Sequence, residues 1–202
     1  MNKFKDAEID LTAEQEEKFE KFCNILKEYN EKFNLTSITD DEGIYEKHFA
    51  DSLKGEEFFP FNAKVIEIGS GGGFPSVPLK IARADLSFTL LEATEKKCGY
   101  LRTVGEELEF ENFGVVCGRA EEFGKKEEYR EKFDVATARA VARLNVLCEY
   151  CLPFVKKGGY FVAYKGDAEE EIKEAEKAVE ILGGKIVEVK DFILSENREE
   201  ET

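Results

Sequence analysis

Apolar residues in the first part of the chain recur every three or four positions. Between Leu11 and Phe33 they fall at Phe19, Phe22, Cys23, Ile25, Leu26 and Tyr29 with charged residues between them, the stripe of an amphipathic helix. Thr12, followed three residues later by Gln15, supplies a capping box for its start. A second helix is predicted from Asp40 to about Leu53, with Ile44, Phe49 and Leu53 on one side. Past Pro60 the period changes. Short β-rich runs at Lys64–Ile68, Ser87–Leu91, Gly114–Cys117, Phe133–Ala138, Gly159–Tyr164 and Lys185–Val189 read as strands. Helical patterns at Ser76–Ala82, Glu95–Leu108, Ala120–Tyr129, Leu144–Val155 and Ala168–Leu182 alternate with them, and Gly183-Gly184 stops the last.

Repeated alternation of strand and helix implies parallel strands joined by right-handed crossovers. The expected fold class is therefore α/β, a Rossmann-like doubly wound, mostly parallel sheet flanked by helices, with an N-terminal helical extension. The expected boundaries are 1–60 for the extension, 61–194 for the sheet domain and 195–202 for an acid-rich disordered tail. A length of 202 residues fits one core with such an extension.

Composition narrows the class. No apolar run approaches the ~20 residues of a transmembrane span, and the N-terminal MNKFKDAEID lacks the apolar region of a secretory signal, so a cytoplasmic protein is expected. The five cysteines are scattered and odd in number, which argues for reduced thiols rather than a disulfide framework. Cys148 and Cys151 have metal or redox spacing, but with Leu147, Leu152 and Phe154 around them and no second pair nearby they read as buried helix, and no metal is expected. His48, the single histidine, reads as a packed or capping residue beside Phe49. A net charge of −15 leaves any nucleic-acid partner dependent on a local basic face or on help from another molecule.

The chemistry lies in Val65-Ile-Glu-Ile-Gly-Ser-Gly-Gly-Gly-Phe-Pro-Ser76. Glycines in the first strand-to-helix turn permit positive φ and let a cofactor lie against bare main chain. Gly69-x-Gly71-x-Gly73 runs into Phe74, which breaks the nicotinamide fingerprint, and it lacks the Lys-Ser/Thr ending of a phosphate-binding P-loop. An acid, Glu67, two residues before such a loop is the pattern of S-adenosylmethionine-dependent methyltransferases. Glu92 ends the second strand 23 positions after Gly69, close to the interval of about 20 at which an acid meets the cofactor ribose.

At these residues the sequence resembles one family, the bacterial 16S ribosomal RNA guanine-N7 methyltransferases long called glucose-inhibited division protein B. The resemblance runs from about Phe33 to Leu194. It is carried by Asn34-Leu-Thr-Ser-Ile38, His48-Phe-Ala-Asp-Ser-Leu53, the glycine loop with Phe74-Pro75, Arg119-Ala-Glu121, Ala138-Arg-Ala-Val-Ala142 and Ala163-Tyr-Lys-Gly166. It implies S-adenosyl-L-methionine as cofactor, with Gly69 and Phe74 contacting it, Glu92, Ala93 and Thr94 along its ribose and adenosine, Ala120 and Glu121 flanking the adenine, and Arg139 closing the site. Arg139 reads equally as a ligand of guanine O6, of a phosphate or of the cofactor carboxylate. The implied partner is 16S ribosomal RNA or the small subunit, met by a monomer through Lys96, Lys97, Arg102, Arg119, Arg143, Lys156, Lys157 and Lys165.

Members of that family continue through a further strand and a Lys/Arg-rich tail, whereas this sequence closes on Arg198-Glu-Glu-Glu-Thr202. From the difference, either unpaired sheet-edge groups or a direct pairing of the two strands that the last one separates is expected, together with weaker RNA affinity. Two rival readings accompany the first: a small-molecule methyltransferase, and a cofactor-binding module that docks on a ribosome without turnover.

Overall fold

A computed structural model describes Phe4 and residues 9–139, 141–166 and 168–192. Helix α1 (Ala13–Phe33) begins at the expected capping box, with the Thr12 hydroxyl accepting from the Gln15 amide and the Gln15 side chain accepting from the Thr12 amide. The Gln15 carboxamide then donates to the carbonyls of Ile81 and Ala82, at 3.2 and 3.1 Å. One side chain thus caps α1 and also satisfies orphan carbonyls at the end of helix α4 (Ser76–Ala82). The second predicted helix is composite: α2 (Asp41–Ile44), a π-helical stretch (Tyr45–Ala50) and α3 (Asp51–Lys54). The wider turn falls on His48, and such turns often accompany functional positions.

Five parallel strands, β1 (Lys64–Ile68), β2 (Ser87–Glu92), β3 (Phe113–Cys117), β4 (Phe133–Arg139) and β5 (Val155–Tyr164), stand in the order β3-β2-β1-β4-β5. The winding direction reverses between β1 and β4, and in open sheets of this kind ligands bind there, beyond the carboxyl ends of the strands. Helices α5 (Glu95–Glu107), α6 (Ala120–Phe123), α7 (Leu144–Cys151) and α8 (Glu169–Ile181) complete the flanking layers.

Alternation along the strands divides the interior into two cores. Ile66, Ile68, Ala136 and Ala138 face Leu147, Cys151 and Phe154. Val65, Phe88, Leu90 and Val135 face the other way, into a core shared with Phe19, Phe22, Leu26 and Phe49 of the extension. Phe49 alone contacts the rings of Phe19, Phe22, Tyr45 and Phe74. The extension therefore packs on the sheet layer through a continuous aromatic cluster.

Several predicted elements differ. Lys185–Val189 forms no strand; residues 185–192 carry no regular structure and are exposed, with Val187 67% and Val189 57% accessible. An alternating apolar pattern becomes a strand only where a neighbour takes its backbone groups, and among the described residues β5 ends the sheet. Helix α6 stops at Phe123, not Tyr129, and α7 gives way at Leu152 to a 3₁₀ turn containing Pro153. The glycines Gly158 and Gly159 lie inside β5: Phe133 pairs with Val155 and Val135 with Tyr160, so five steps of β5 span two of β4. A Cβ on Gly159 would lie 2.5 Å from the Asp134 carbonyl oxygen, which explains the residue. The predicted tail, 195–202, lies outside the described residues.

Replacing Phe49 by alanine is expected to cost about 3–5 kcal/mol. Because its contacts join extension and sheet layer, urea unfolding followed by fluorescence and circular dichroism should shift as one transition. Two separated transitions would show that the extension folds independently.

Candidate functional site

The glycine loop leaves β1 at the switch point. The Gly69 amide donates to the Leu91 carbonyl at 2.8 Å, continuing the β1–β2 ladder one residue beyond the strand. Gly69, Gly71 and Gly73 have φ of +71°, +52° and +89°, a region that residues with a Cβ avoid. A Cβ on Gly69 would also come within 2.8 Å of the Val141 side chain, whereas at Gly71 the nearest atom would be 3.8 Å away. The loop is held from two sides. Glu92 Oε2 accepts from the Gly71 amide at 2.9 Å and Oε1 from the Thr94 amide at 2.8 Å, while the buried Tyr100 hydroxyl donates to the Gly72 carbonyl at 3.1 Å. Each Glu92 oxygen keeps a second lone pair for a ligand hydroxyl.

Glu67 has no such partners. It is fully buried, and among the described residues neither of its carboxylate oxygens, nor the hydroxyl of nearby Ser76, makes a hydrogen bond. Burial pushes its carboxyl up to about 8, against the opposing pull of the Ser76 hydroxyl and amide, which lie close by but outside hydrogen-bonding geometry, and of the Arg139 charge. An orphaned acid beneath a glycine loop suits a ligand that brings a positive charge or N–H donors. The residues present therefore fit an amino-acid-bearing cofactor such as S-adenosylmethionine.

Arg139, at the end of β4, leans toward the extension. Its guanidinium meets Asp51 Oδ2 and His48 Nδ1, both at 3.1 Å, and lies 4.7 Å from the centre of the Phe74 ring. His48 stacks on the same ring, centroids 4.4 Å apart and planes 21° apart, and its Nε2 is 2.7 Å from Thr36 Oγ1. Arginine has no acceptor, so Nδ1 must be the bare nitrogen and Nε2 carries the proton donated to Thr36. Burial, then the Arg139 charge, push the imidazole down to about 4. Tyr164 of β5 fastens the same helices by donating to the Ser52 carbonyl at 2.8 Å.

Because the sheet is parallel, the predicted residues gather along one edge. Gly69 sits at the centre, Glu92 and the exposed Ala93 and Thr94 after β2, half-buried Ala120 and exposed Glu121 after β3, and Arg139 after β4. Phe74 is only 7% exposed, enclosed by His48, Phe22 and Phe49. His48, Asp51 and Thr36 join the site although residue type alone pointed to packing for the histidine and was silent on the others. Their signal lay in the segments Asn34–Ile38 and His48–Leu53 and in the three-residue spacing that puts 48 and 51 on one helical face.

The basic residues divide. Lys156 and Lys157 enter at the amino end of β5, the opposite edge, and Lys156 pairs with Asp134. Lys165 is bound to Glu171 at 2.7 Å, Arg143 to Glu174 at 2.5 Å and Arg102 to Glu95 at 3.2 Å. Lys96, Lys97 and Arg119 remain at the carboxyl edge without an acidic partner among the described residues.

Comparison with known proteins decides the family. The model of GidB, rRNA small subunit methyltransferase G, matches residues 15–199. The chain belongs to this family. Ribosomal RNA small subunit methyltransferase G of Brevibacillus brevis is 49% identical over 191 residues, covering 93% of this chain and 80% of the relative. The Staphylococcus aureus (strain JH9) protein of the same name is 45% identical, over 96% and 82%. Among solved structures, an O-methyltransferase from Bacillus cereus in complex with SAH superposes with a TM-score of 0.55 at 19% identity, covering 87% of this chain and 82% of that one. A SAM-dependent methyltransferase from Aquifex aeolicus gives 0.51 at 18%, over 72% and 87%. At such identities these two establish the fold, that of the class I methyltransferases.

The two perturbed groups make opposite contributions to stability between pH 5 and 6.5. His48 titrates near 6.5 when unfolded and about 4 when folded, so its contribution is present above 6.5 and is lost as pH falls toward 4. Glu67 goes from 4.5 unfolded to about 8 folded, so its contribution is complete below 4.5 and is lost as pH rises through 8. Urea midpoints at pH 5 and 6.5 should therefore move less favourably on acidification in Glu67→Gln than in the unaltered protein, and more favourably in His48→Asn. Parallel pH responses in all three proteins would contradict the assigned environments.

Proposed function

We propose that this chain, a helical extension (1–60) on a methyltransferase unit (61–194), transfers a methyl group from S-adenosyl-L-methionine to N7 of a guanine in 16S ribosomal RNA of the small subunit. The observation that carries the reading is the family match over residues 15–199, joined to a carboxyl-edge site whose glycine loop is fixed by Glu92 and underlain by an unpartnered acid. The proposed cofactor contacts are Gly69, Phe74, Glu92, Ala93, Thr94, Ala120, Glu121 and Arg139, with Glu67 facing the cationic end. The enzyme is taken to act as a monomer in the cytoplasm; among the described residues no helix is long and apolar enough to cross a membrane.

When bound, S-adenosylmethionine supplies a methyl group activated by a positively charged sulfur. Guanine N7 offers an unprotonated lone pair in the major groove, so the chain need not abstract a proton. The site is consistent with that economy. Its histidine is held neutral with both ring nitrogens engaged, and is not free to act as a general base. The work left to the protein is orientation and exclusion of water. The glycine loop and Glu92 fix one reactant against the main chain. Arg139, held on three sides by Asp51, His48 and Phe74, presents a rigid fork of donors for the other reactant or for a carboxylate. Lys96, Lys97 and Arg119 offer phosphate contacts close to the edge where the base must enter.

The test is transfer of labelled methyl to small ribosomal subunits lacking N7 methylation, with free ribosomal RNA in parallel. Methylation should appear at one guanine N7 and fall at least ~100-fold in Gly69→Asp, where a side chain at positive φ must also displace Val141. Cofactor binding without transfer to either RNA form would overturn the assignment, and transfer to free metabolites instead would support a small-molecule substrate.

A further inference from the structure

The wall beside Glu92 holds a side-chain group that the proposed methyl transfer does not use. Cys98 lies in the first turn of α5 and Cys117 ends β3, in register with Glu92 on the neighbouring strand. They stand nineteen positions apart in sequence, and no metal-binding spacing announces them. The crossover brings them together with Glu95, so that one ligand atom from each of Glu95, Cys98 and Cys117 lies within 4.8 Å of the other two. Such spacing suits ligands around a tetrahedral metal with sulfur bonds of about 2.3 Å and oxygen bonds of about 2.0–2.2 Å.

We propose that Glu95, Cys98 and Cys117 form a binding site for a soft divalent transition metal of the zinc class, with a fourth position open to water. Two thiolates with a carboxylate are a donor set for zinc and not for magnesium or calcium, which take oxygen ligands. The burial gradient is that of an entry path: Cys98 is buried, Cys117 half-buried and Glu95 exposed. The Glu95 carboxylate is also braced from behind. The Cys98 thiol donates to the Glu92 carbonyl at 3.3 Å, a bond given up when a metal displaces its proton, and Arg102 holds the Glu95 carboxylate at 3.2 Å. An outer partner like Arg102 orients a metal ligand.

A bound divalent cation would take the place of the thiol protons of Cys98 and Cys117. The bound metal would tie the start of α5 to the end of β3, immediately beside the Glu92–Thr94 wall.

The test titrates Co²⁺, then Zn²⁺, into the reduced full chain. One equivalent of Co²⁺ should produce thiolate charge-transfer absorption and tetrahedral d–d bands, both removed by Zn²⁺. Cys117→Ser should weaken Zn²⁺ binding at least ~100-fold and Glu95→Gln about 10-fold, with folding checked by circular dichroism. Cys148→Ser/Cys151→Ser should bind as the unaltered chain does. Absence of stoichiometric binding, binding unchanged in Cys117→Ser, or binding lost in the Cys148/Cys151 variant would each overturn the site. The readout is independent of methyl transfer, so failure of either reading leaves the other testable.

Discussion

A guanidinium drawn out of water must be met by partners, and the partners of Arg139 come from a different part of the chain. Asp51 supplies charge, His48 a lone pair and Phe74 a ring face, so the helices that precede the sheet are bound to the end of β4. Much else follows from that contact. It sets the π-helical turn against Phe74 at the end of the glycine loop, it adds to the burial that keeps the single histidine neutral, and it continues the aromatic cluster of α1 up to the site. Tyr164 repeats the connection from β5. The extension is thereby part of the site wall as well as part of the core.

The same contact leaves Glu67 alone. With Arg139 turned toward Asp51, the acid at the end of β1 keeps no hydrogen-bond partner among the described residues and prefers its proton. Glu92 is the contrast. Two main-chain amides occupy its oxygens, and it acts first as a clamp that gives the loop its shape. Two acids at adjacent strand ends therefore differ in state: one is ionised in hydrogen bonds that shape the loop, and the other stays buried and protonated.

The architecture was legible in the sequence because its strands are short apolar runs and its helices carry a clear stripe. The glycine loop and Glu92 were legible because spacing along a βα unit fixes their relative positions. What pattern could not supply was anything decided by long-range contact. Lys185–Val189 alternates as a strand should, yet forms none without a neighbour to pair with. His48 looked like packing and does pack, but on Phe74 and beside Arg139, 91 residues away. The eight basic residues read as one set, whereas parallel strands put Lys156 and Lys157 at the opposite edge, and ion pairs engage Arg102, Arg143, Lys156 and Lys165.

The central claim is that a cofactor carrying positive charge or N–H donors completes the environment of Glu67. Calorimetric titration of S-adenosylhomocysteine at pH 7, in buffers of different ionisation enthalpy, tests it most directly. The account predicts release of up to about one proton per ligand bound by the unaltered protein, as the carboxyl ionises against the ligand's ammonium group, and none beyond background in Glu67→Gln. Tight binding with no proton released, or equal release in the two proteins, would contradict it.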